Sequence, residues 1–360
     1  MMTLLLIGGC QRSSTPEPIQ SAPERVVRLY NWADYFDEKI LEEFSARTGI
    51  RYELETYDTS DECFARIKSD PAACDVFVLE DTVISAMREL RLVRRIHREK
   101  LPGIRHLDPG FLDLEFDPGN LYSVPYTWGT TLLAYRKDKV DPKPTSWTAL
   151  FDEKYSGQVM MMDDSQESFA ITLTTLGFPM NSSVPRELES ARSKLIEQAS
   201  LVTGYSDFST ILDALIDGTC WVAPMYSGDA ADAAEAHPQI GYVIPEEGAT
   251  MWIDNFAIPR DAPNVDEAHL FINFMLDPEI SGRNAGSIWY ASPNLSARAH
   301  TSEELLQDEQ IYPAPEVLAK CGFLKKLDQP RLQAQNEAWA EVRRSPSLEA
   351  RAAIRSTSPQ

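Results

Sequence analysis

The sequence predicts an α/β fold of two lobes with a cleft between them, and three patterns carry that reading. Apolar, strand-like runs alternate with amphipathic helical stretches along most of the chain, the order that gives parallel sheets with helices on both faces. Two extended segments, residues 126–130 and 252–255, lack a helical period and stand where the chain would cross between two α/β units. Acids recur beside aromatic rings at the carboxyl ends of the strands, where open α/β sheets collect ligands.

The first strand is the alternating run Val26-Val27-Arg28-Leu29-Tyr30, and a helix over residues 37–47 is closed by Gly49. Residues 50–57 alternate as a strand, and residues 60–69 read as a helix with Ser60 as its N-cap. Asp75-Val76-Phe77-Val78-Leu79 has the apolar run of a buried parallel strand, followed by Glu80-Asp81-Thr82 and a helix over 83–90. Residues 121–130 lead through Leu132-Leu133-Ala134-Tyr135 as one extended stretch, and Pro144-Thr145-Ser146-Trp147 opens a helix. A Met-rich strand over 158–162 ends in Asp163-Asp164-Ser165-Gln166-Glu167, which starts another helix. Helices over 186–197 and 210–216, strands over 220–225 and 240–245, and an extended segment over 251–259 follow. Helices over 265–276 and 278–285, a helical tail over 313–342 and a frayed end beyond 345 complete the chain.

A chain of 360 residues suits about two domains, and its net charge of −21 argues against nucleic acid as a partner. At the N-terminus the apolar run Thr3-Leu4-Leu5-Leu6-Ile7 ends in Gly8-Gly9-Cys10. That is an export-signal pattern, too short to span a bilayer. Ile7-Gly8-Gly9-Cys10 resembles a bacterial lipobox, which implies a lipid on Cys10, although no basic residue precedes the apolar run. Residues 11–24, rich in Ser, Pro and Gln, read as a flexible tether. Of the other cysteines, a Cys63–Cys74 or Cys220–Cys321 disulfide and buried free thiols are both open, and no Cys-x-x-Cys spacing points to a metal.

The catalytic signatures Gly-x-Ser-x-Gly, a Gly-rich phosphate loop and His-Glu-x-x-His do not occur. The five histidines stand in polar contexts and read as surface residues, and no metal or cofactor is implied. What recurs is the ring–acid pair. Trp32, Asp34 and Tyr35 follow the first strand, Asp164 and Glu167 the Met-rich strand, and Tyr226 and Asp229 the strand ending at Met225. Trp252 and Asp254 lie in the second crossover, and Tyr290 adds a ring. One such pair is explained by core packing and helix capping. The five groups together describe a cleft suited to a linear organic cation, with rings over its methylenes and carboxylates on its ammonium groups.

These residues fall within a longer resemblance. Tyr30-Asn31-Trp32, Thr48-Gly49-Ile50, Asp75-Val76-Phe77-Val78, Leu107-Asp108-Pro109, Pro125-Tyr126-x-Trp128-Gly129, Thr145-Ser146-Trp147, Pro245-x-Glu247-Gly248 and Asn273-Phe274-x-Leu276-x-Pro278 resemble the bacterial spermidine/putrescine-binding proteins. These are periplasmic receptors of ABC importers. The resemblance implies a two-lobed periplasmic-binding-protein fold of type II. Its first lobe would be residues 26–129 and 254–298, its second 130–253 and 299–345, with 1–25 as signal and tether and 346–360 as a frayed tail. It implies a monomer, tied to the membrane only through Cys10, that hands polyamine to a permease on the periplasmic or outer face of the cytoplasmic membrane.

Its site positions would be Trp32, Asp34, Tyr35, Glu80, Thr82, Asp164, Glu167, Tyr226, Asp229, Trp252, Asp254 and Tyr290. Trp32, Trp252 and Tyr290 would stack on the alkyl chain and Asp254 would grip an amine. Asp164 or Glu167 would take one terminal amine, and Asp34 or Asp229 another. Tyr226 stands where the family usually has Trp, and Glu80-Asp81-Thr82 where it often has Ser with small or aromatic residues. Leu324 falls near a Gln that favours spermidine in some relatives, whereas Asp34 and Asp229 resemble putrescine-preferring members, so the choice of polyamine stays open. The alternatives are the same fold holding a sugar or other organic cation, and an extracellular hydrolase using a carboxylate pair.

Overall fold

The computed structural model describes residues 25–344. Cys10, the signal and tether, and the tail beyond 345 therefore lie outside the described residues. The chain opens with β1 (Val26–Trp32), α1 (Glu38–Thr48), β2 (Arg51–Tyr57), α2 (Ser60–Ser69), β3 (Val76–Glu80) and α3 (Asp81–Glu89). Strands β1, β2 and β3 form the expected parallel ladder, in the order β2-β1-β3. Asp37 caps α1 by accepting from the Lys39 N–H at 3.0 Å. Gly49 ends it in the left-handed region, φ 69°, which a residue without Cβ reaches at no steric cost. Thr59, not Ser60, caps α2, which frees the Ser60 hydroxyl for another partner.

The long strand β4 (Ser123–Arg136) leaves this sheet for the next. Then come β5 (Val159–Met162), α4 (Ser165–Thr175), α5 (Pro185–Gln198), β6 (Val202–Ser206), α6 (Phe208–Asp217), β7 (Val222–Tyr226), α7 (Ser227–Ala236) and β8 (Ile240–Val243). Strand β9 (Thr250–Ala257) returns, followed by α8 (Val265–Met275) and α9 (Pro278–Ile288). The strand order β2-β1-β3-β9-β4-β7-β5-β6 makes β4 and β9 the two central, antiparallel crossovers. Residues Ser123 to Thr130 of β4 pair with β9, and Thr131 to Tyr135 pair with β7. Each lobe thus has a parallel core of three strands, joined through crossovers at the centre of the sheet.

The cores follow the strand alternation. Val27 and Leu29 of β1 pack with Ile40, Leu41 and Phe44 of α1, while Tyr30 faces Tyr57, Ile67 and Phe77 on the opposite side. The second lobe closes around Leu132, Leu133, Met161, Val222 and Met225.

Three further expectations need correction. The helix expected from 144 is two 3-10 turns, Trp147–Phe151 and Glu153–Tyr155, because Asp152 caps a new turn by accepting from the Lys154 N–H. The helical tail is interrupted. Short helices α10 (Glu303–Gln307) and α11 (Pro315–Leu318) precede a two-residue strand β10 (Gly322–Phe323), which pairs with β9, and only then comes α12 (Gln329–Arg343). Asp328 and Pro330 start that last helix afresh. His269 is not at the surface. It is buried in α8, bonded through Nδ1 to the Val265 carbonyl at 2.7 Å, and its Nε2 accepts the His97 N–H at 3.0 Å. Of the two readings open for the cysteines, the structure has the thiols: Cys63, Cys74, Cys220 and Cys321 are free, the first three buried.

Candidate functional site

The turn after β1 sets the first wall. Asp34 adopts a left-handed backbone, φ 54°, and its side chain is exposed. It caps no helix and makes no hydrogen bond or ion pair among the described residues, so the structure does not bind it into the group formed by its neighbours. Reversing the chain there turns Tyr35 inward. Its hydroxyl donates to Asp254 Oδ2 at 2.6 Å and lies 2.9 Å from Thr127 Oγ1. A phenol has one proton to give, so Thr127 donates to the Tyr35 oxygen. The Tyr35 carbonyl accepts the Tyr126 hydroxyl, which in turn accepts from Asn284 Nδ2 at 2.8 Å. Tyr126 reaches there because β4 is irregular between Pro125 and Thr127, a bulge beside the site that re-aims its neighbours.

The rings form a connected wall. Tyr35 and Tyr290 meet edge to face at 5.6 Å, Tyr290 and Trp252 at 5.1 Å, and Trp252 and Tyr226 at 5.8 Å. Two glycines make room for it. Gly129 lies opposite Trp252 in the β4–β9 ladder, and a Cβ there would fall 2.5 Å from Trp252 Cζ2. A Cβ on Gly228 would fall 2.5 Å from the Tyr290 ring. Trp32 stands apart from this wall, half-buried against Tyr57 at 4.5 Å.

The acids share one arrangement. Asp254 takes the Tyr35 hydroxyl, Asp229 Oδ2 takes the Tyr290 hydroxyl at 2.7 Å, and Glu167 Oε1 takes the Thr250 hydroxyl. Glu80 Oε2 takes the Ser60 hydroxyl at 2.9 Å. A neutral hydroxyl fixes a carboxylate without cancelling its charge. Among the described residues, none of these four acids is in an ion pair. Burial pushes the Asp254 carboxyl up to about 8, helped by the charges of Glu80 and Asp81. Burial likewise raises Glu167 to about 7 and Asp229 to about 6, and Glu80 is raised by burial, then by the Asp164 and Asp61 charges. Asp164 is exposed and caps α4, its Oδ1 accepting the Gln166 and Glu167 N–H groups at 2.7 and 2.9 Å. Thr82 is half-buried in the first turn of α3.

The structure thus joins Tyr35, Glu167, Tyr226, Asp229, Trp252, Asp254 and Tyr290 with Glu80, and leaves Asp34 outside. Sequence reasoning missed the supporting hydroxyls, Ser60, Thr127 and Thr250, and the clearing glycines, Gly129 and Gly228. Only Pro125-Tyr126-x-Trp128-Gly129 carried a signal for any of them, since small residues beside aromatic ones in a strand mark close approach.

These raised carboxyls have a measurable consequence. Between about pH 4 and pH 8 the folded, empty protein holds protons that the unfolded chain releases, so its stability falls as pH rises through that window. His269, whose burial lowers its pKa, works the other way, but only up to about pH 6.5. The melting temperature of the empty protein should therefore drop between pH 7 and 8. A cation on Asp254 replaces its proton, so the liganded protein should show a flatter profile, with proton release on binding at pH 7. A melting temperature that rises from pH 7 to 8 in the empty protein would contradict this.

A two-lobed α/β body with an acid- and ring-lined cleft at its strand ends defines a ligand receptor. The chain belongs to the bacterial extracellular solute-binding proteins, whose family model matches residues 39–314. The spermidine/putrescine-binding periplasmic protein of Escherichia coli K12 is 34% identical over 292 residues, covering 81% of this chain and 84% of that one. The putrescine/cadaverine-binding protein of Pseudomonas aeruginosa PAO1 is 29% identical over 337 residues, covering 90% and 95%. The solved structure of the spermidine/putrescine ABC transporter substrate-binding protein PotD from Streptococcus pneumoniae superposes with a TM-score of 0.83. It is 30% identical, with 89% of this chain and 98% of that one covered.

Proposed function

We propose that this chain captures a polyamine, spermidine or putrescine, in its cleft and delivers it to an ABC import permease, binding without catalysis. The observation that carries this reading is the set of four carboxylates, each accepting from a neutral hydroxyl, in no ion pair among the described residues and walled by rings. Such a site attracts cations and rejects carboxylates. Rings from Trp252, Tyr290 and Tyr226 would cover the methylenes, Asp254 would hold an ammonium, and Glu167 and Asp229 would hold others from the second lobe. Trp32 and Thr82 would contact the ligand from the first lobe, with Asp34 and Asp164 at the rim. The names of the relatives agree with this chemistry.

We read residues 26–129 with 254–298, and 130–253 with 299–345, as the two bodies that close on the ligand, with β4 and β9 as hinges. The test is thermal unfolding at pH 7 with spermidine, putrescine, lysine or glucose. A ligand that binds only the folded state raises the melting temperature. A rise with a polyamine and none with glucose is expected; a rise with glucose alone would overturn the reading.

A lipid on Cys10 would hold the receptor at the outer face of the cytoplasmic membrane, with residues 11–24 as the tether. Cys10→Ser should move the protein from the membrane fraction to the soluble one. Unchanged membrane retention would remove the anchor.

A further inference from the structure

Glu80 is the last residue of β3, and it stands directly opposite Asp254 in the antiparallel β3–β9 ladder. Partners so opposed project from the same face of the sheet with Cβ atoms about 4.5–5.5 Å apart, and like charges there are destabilising. This pair is nonetheless built in. Ser60, at the start of α2, holds Glu80 Oε2 at 2.9 Å, and Tyr35 holds Asp254 Oδ2 at 2.6 Å. Both donors are neutral. Among the described residues, the charges that most raise the pair are those of Asp81 of α3, Asp61 of α2 and Asp164 beyond β5, all acids. Among the described residues, neither Glu80 nor Asp254 is in an ion pair. Two carboxyl groups are thus held side by side by separate hydroxyl donors, an arrangement that one cation can bridge.

Resting on the polyamine reading, we propose that Glu80 and Asp254 form a two-carboxylate subsite for the internal secondary ammonium of a triamine, so that this chain selects a triamine over a diamine. A secondary ammonium carries two N–H donors and a double alkyl substitution, which two acceptors on one sheet face can satisfy together. A diamine places only methylenes at mid-chain. With its two ends held elsewhere, it leaves the pair holding a proton in place of an ammonium, and a buried polar group left without its ligand partner is what discriminates strongly between similar ligands.

The experiment is a calorimetric titration of the full chain and of Glu80→Gln with spermidine and with putrescine. Gln keeps the shape and can still accept the Ser60 hydroxyl. Wild type should prefer spermidine by about tenfold or more, and Glu80→Gln should weaken spermidine about tenfold while leaving putrescine within about threefold. Ser60→Ala, which leaves the charge but removes its orienting donor, should weaken spermidine in the same direction by less. Equal weakening of both amines, or no change in either, would overturn the subsite while leaving polyamine capture standing. Wild type that binds neither amine would remove the functional reading, and this inference with it.

Discussion

Replacing Asp254 by asparagine should lower spermidine affinity roughly 30-fold or more, since losing one partner of a desolvated charge pair costs about 2–5 kcal/mol. Asp254 is buried at the crossover between the lobes, with its Oδ2 fixed by Tyr35. Asparagine keeps the size and an oxygen to accept from Tyr35, so the relay from Thr127 through Tyr35 survives. What disappears is the charge. The empty protein should therefore fold normally, and its stability should lose part of its decline between pH 7 and 8, because a carboxyl raised to about 8 is gone. Melting curves across that range, alongside the affinity, separate loss of the ligand's partner from general damage. Unchanged affinity would take Asp254 out of the site.

Gly129→Ala should cost about tenfold in affinity, although residue 129 need not touch the ligand. The added Cβ would sit 2.5 Å from Trp252 Cζ2, 2.9 Å from Cη2 and 2.8 Å from Ser227 Oγ. Neither neighbour is the loose end of a flexible chain, so the indole must turn. It then loses its edge-to-face contacts with Tyr290 and Tyr226 and its place over the alkyl chain. Platforms of this kind contribute about 0.5–2 kcal/mol to cation binding, and overpacking costs about 1–3 kcal/mol of stability. Tryptophan fluorescence of the empty protein should change with this substitution. Wild-type affinity with an altered spectrum would show that Trp252 is not a binding surface.

The sequence carried the α/β alternation because β1 alternates and β3 and β7 are short apolar runs bounded by turn residues, which local composition determines. It also carried the crossovers, since residues 126–130 and 252–255 could not be helices. It did not carry the cap at Thr59, because Ser60 is an equally good capping type. Which one caps depends on Glu80 claiming the Ser60 hydroxyl from a residue 20 positions away. The buried His269 was hidden for the same reason. Its partners, Val265 and His97, are a helix turn away and 172 residues away, and only the second explains why a polar ring is tolerated inside. At the site, the rings and acids were legible as residue types at strand ends. Which of them turn inward was not, because Asp34 and Tyr35 are neighbours, one exposed and one buried, and the difference turns on one left-handed residue.

The most direct test of polyamine capture is a calorimetric titration of the purified protein at pH 7 with spermidine, putrescine, lysine and glucose. The cleft described here predicts saturable one-to-one heat with at least one of the two polyamines and none with glucose, and weak or no binding of lysine, whose carboxylate would meet only acids. Saturable heat from glucose or lysine, with none from either polyamine, would contradict it.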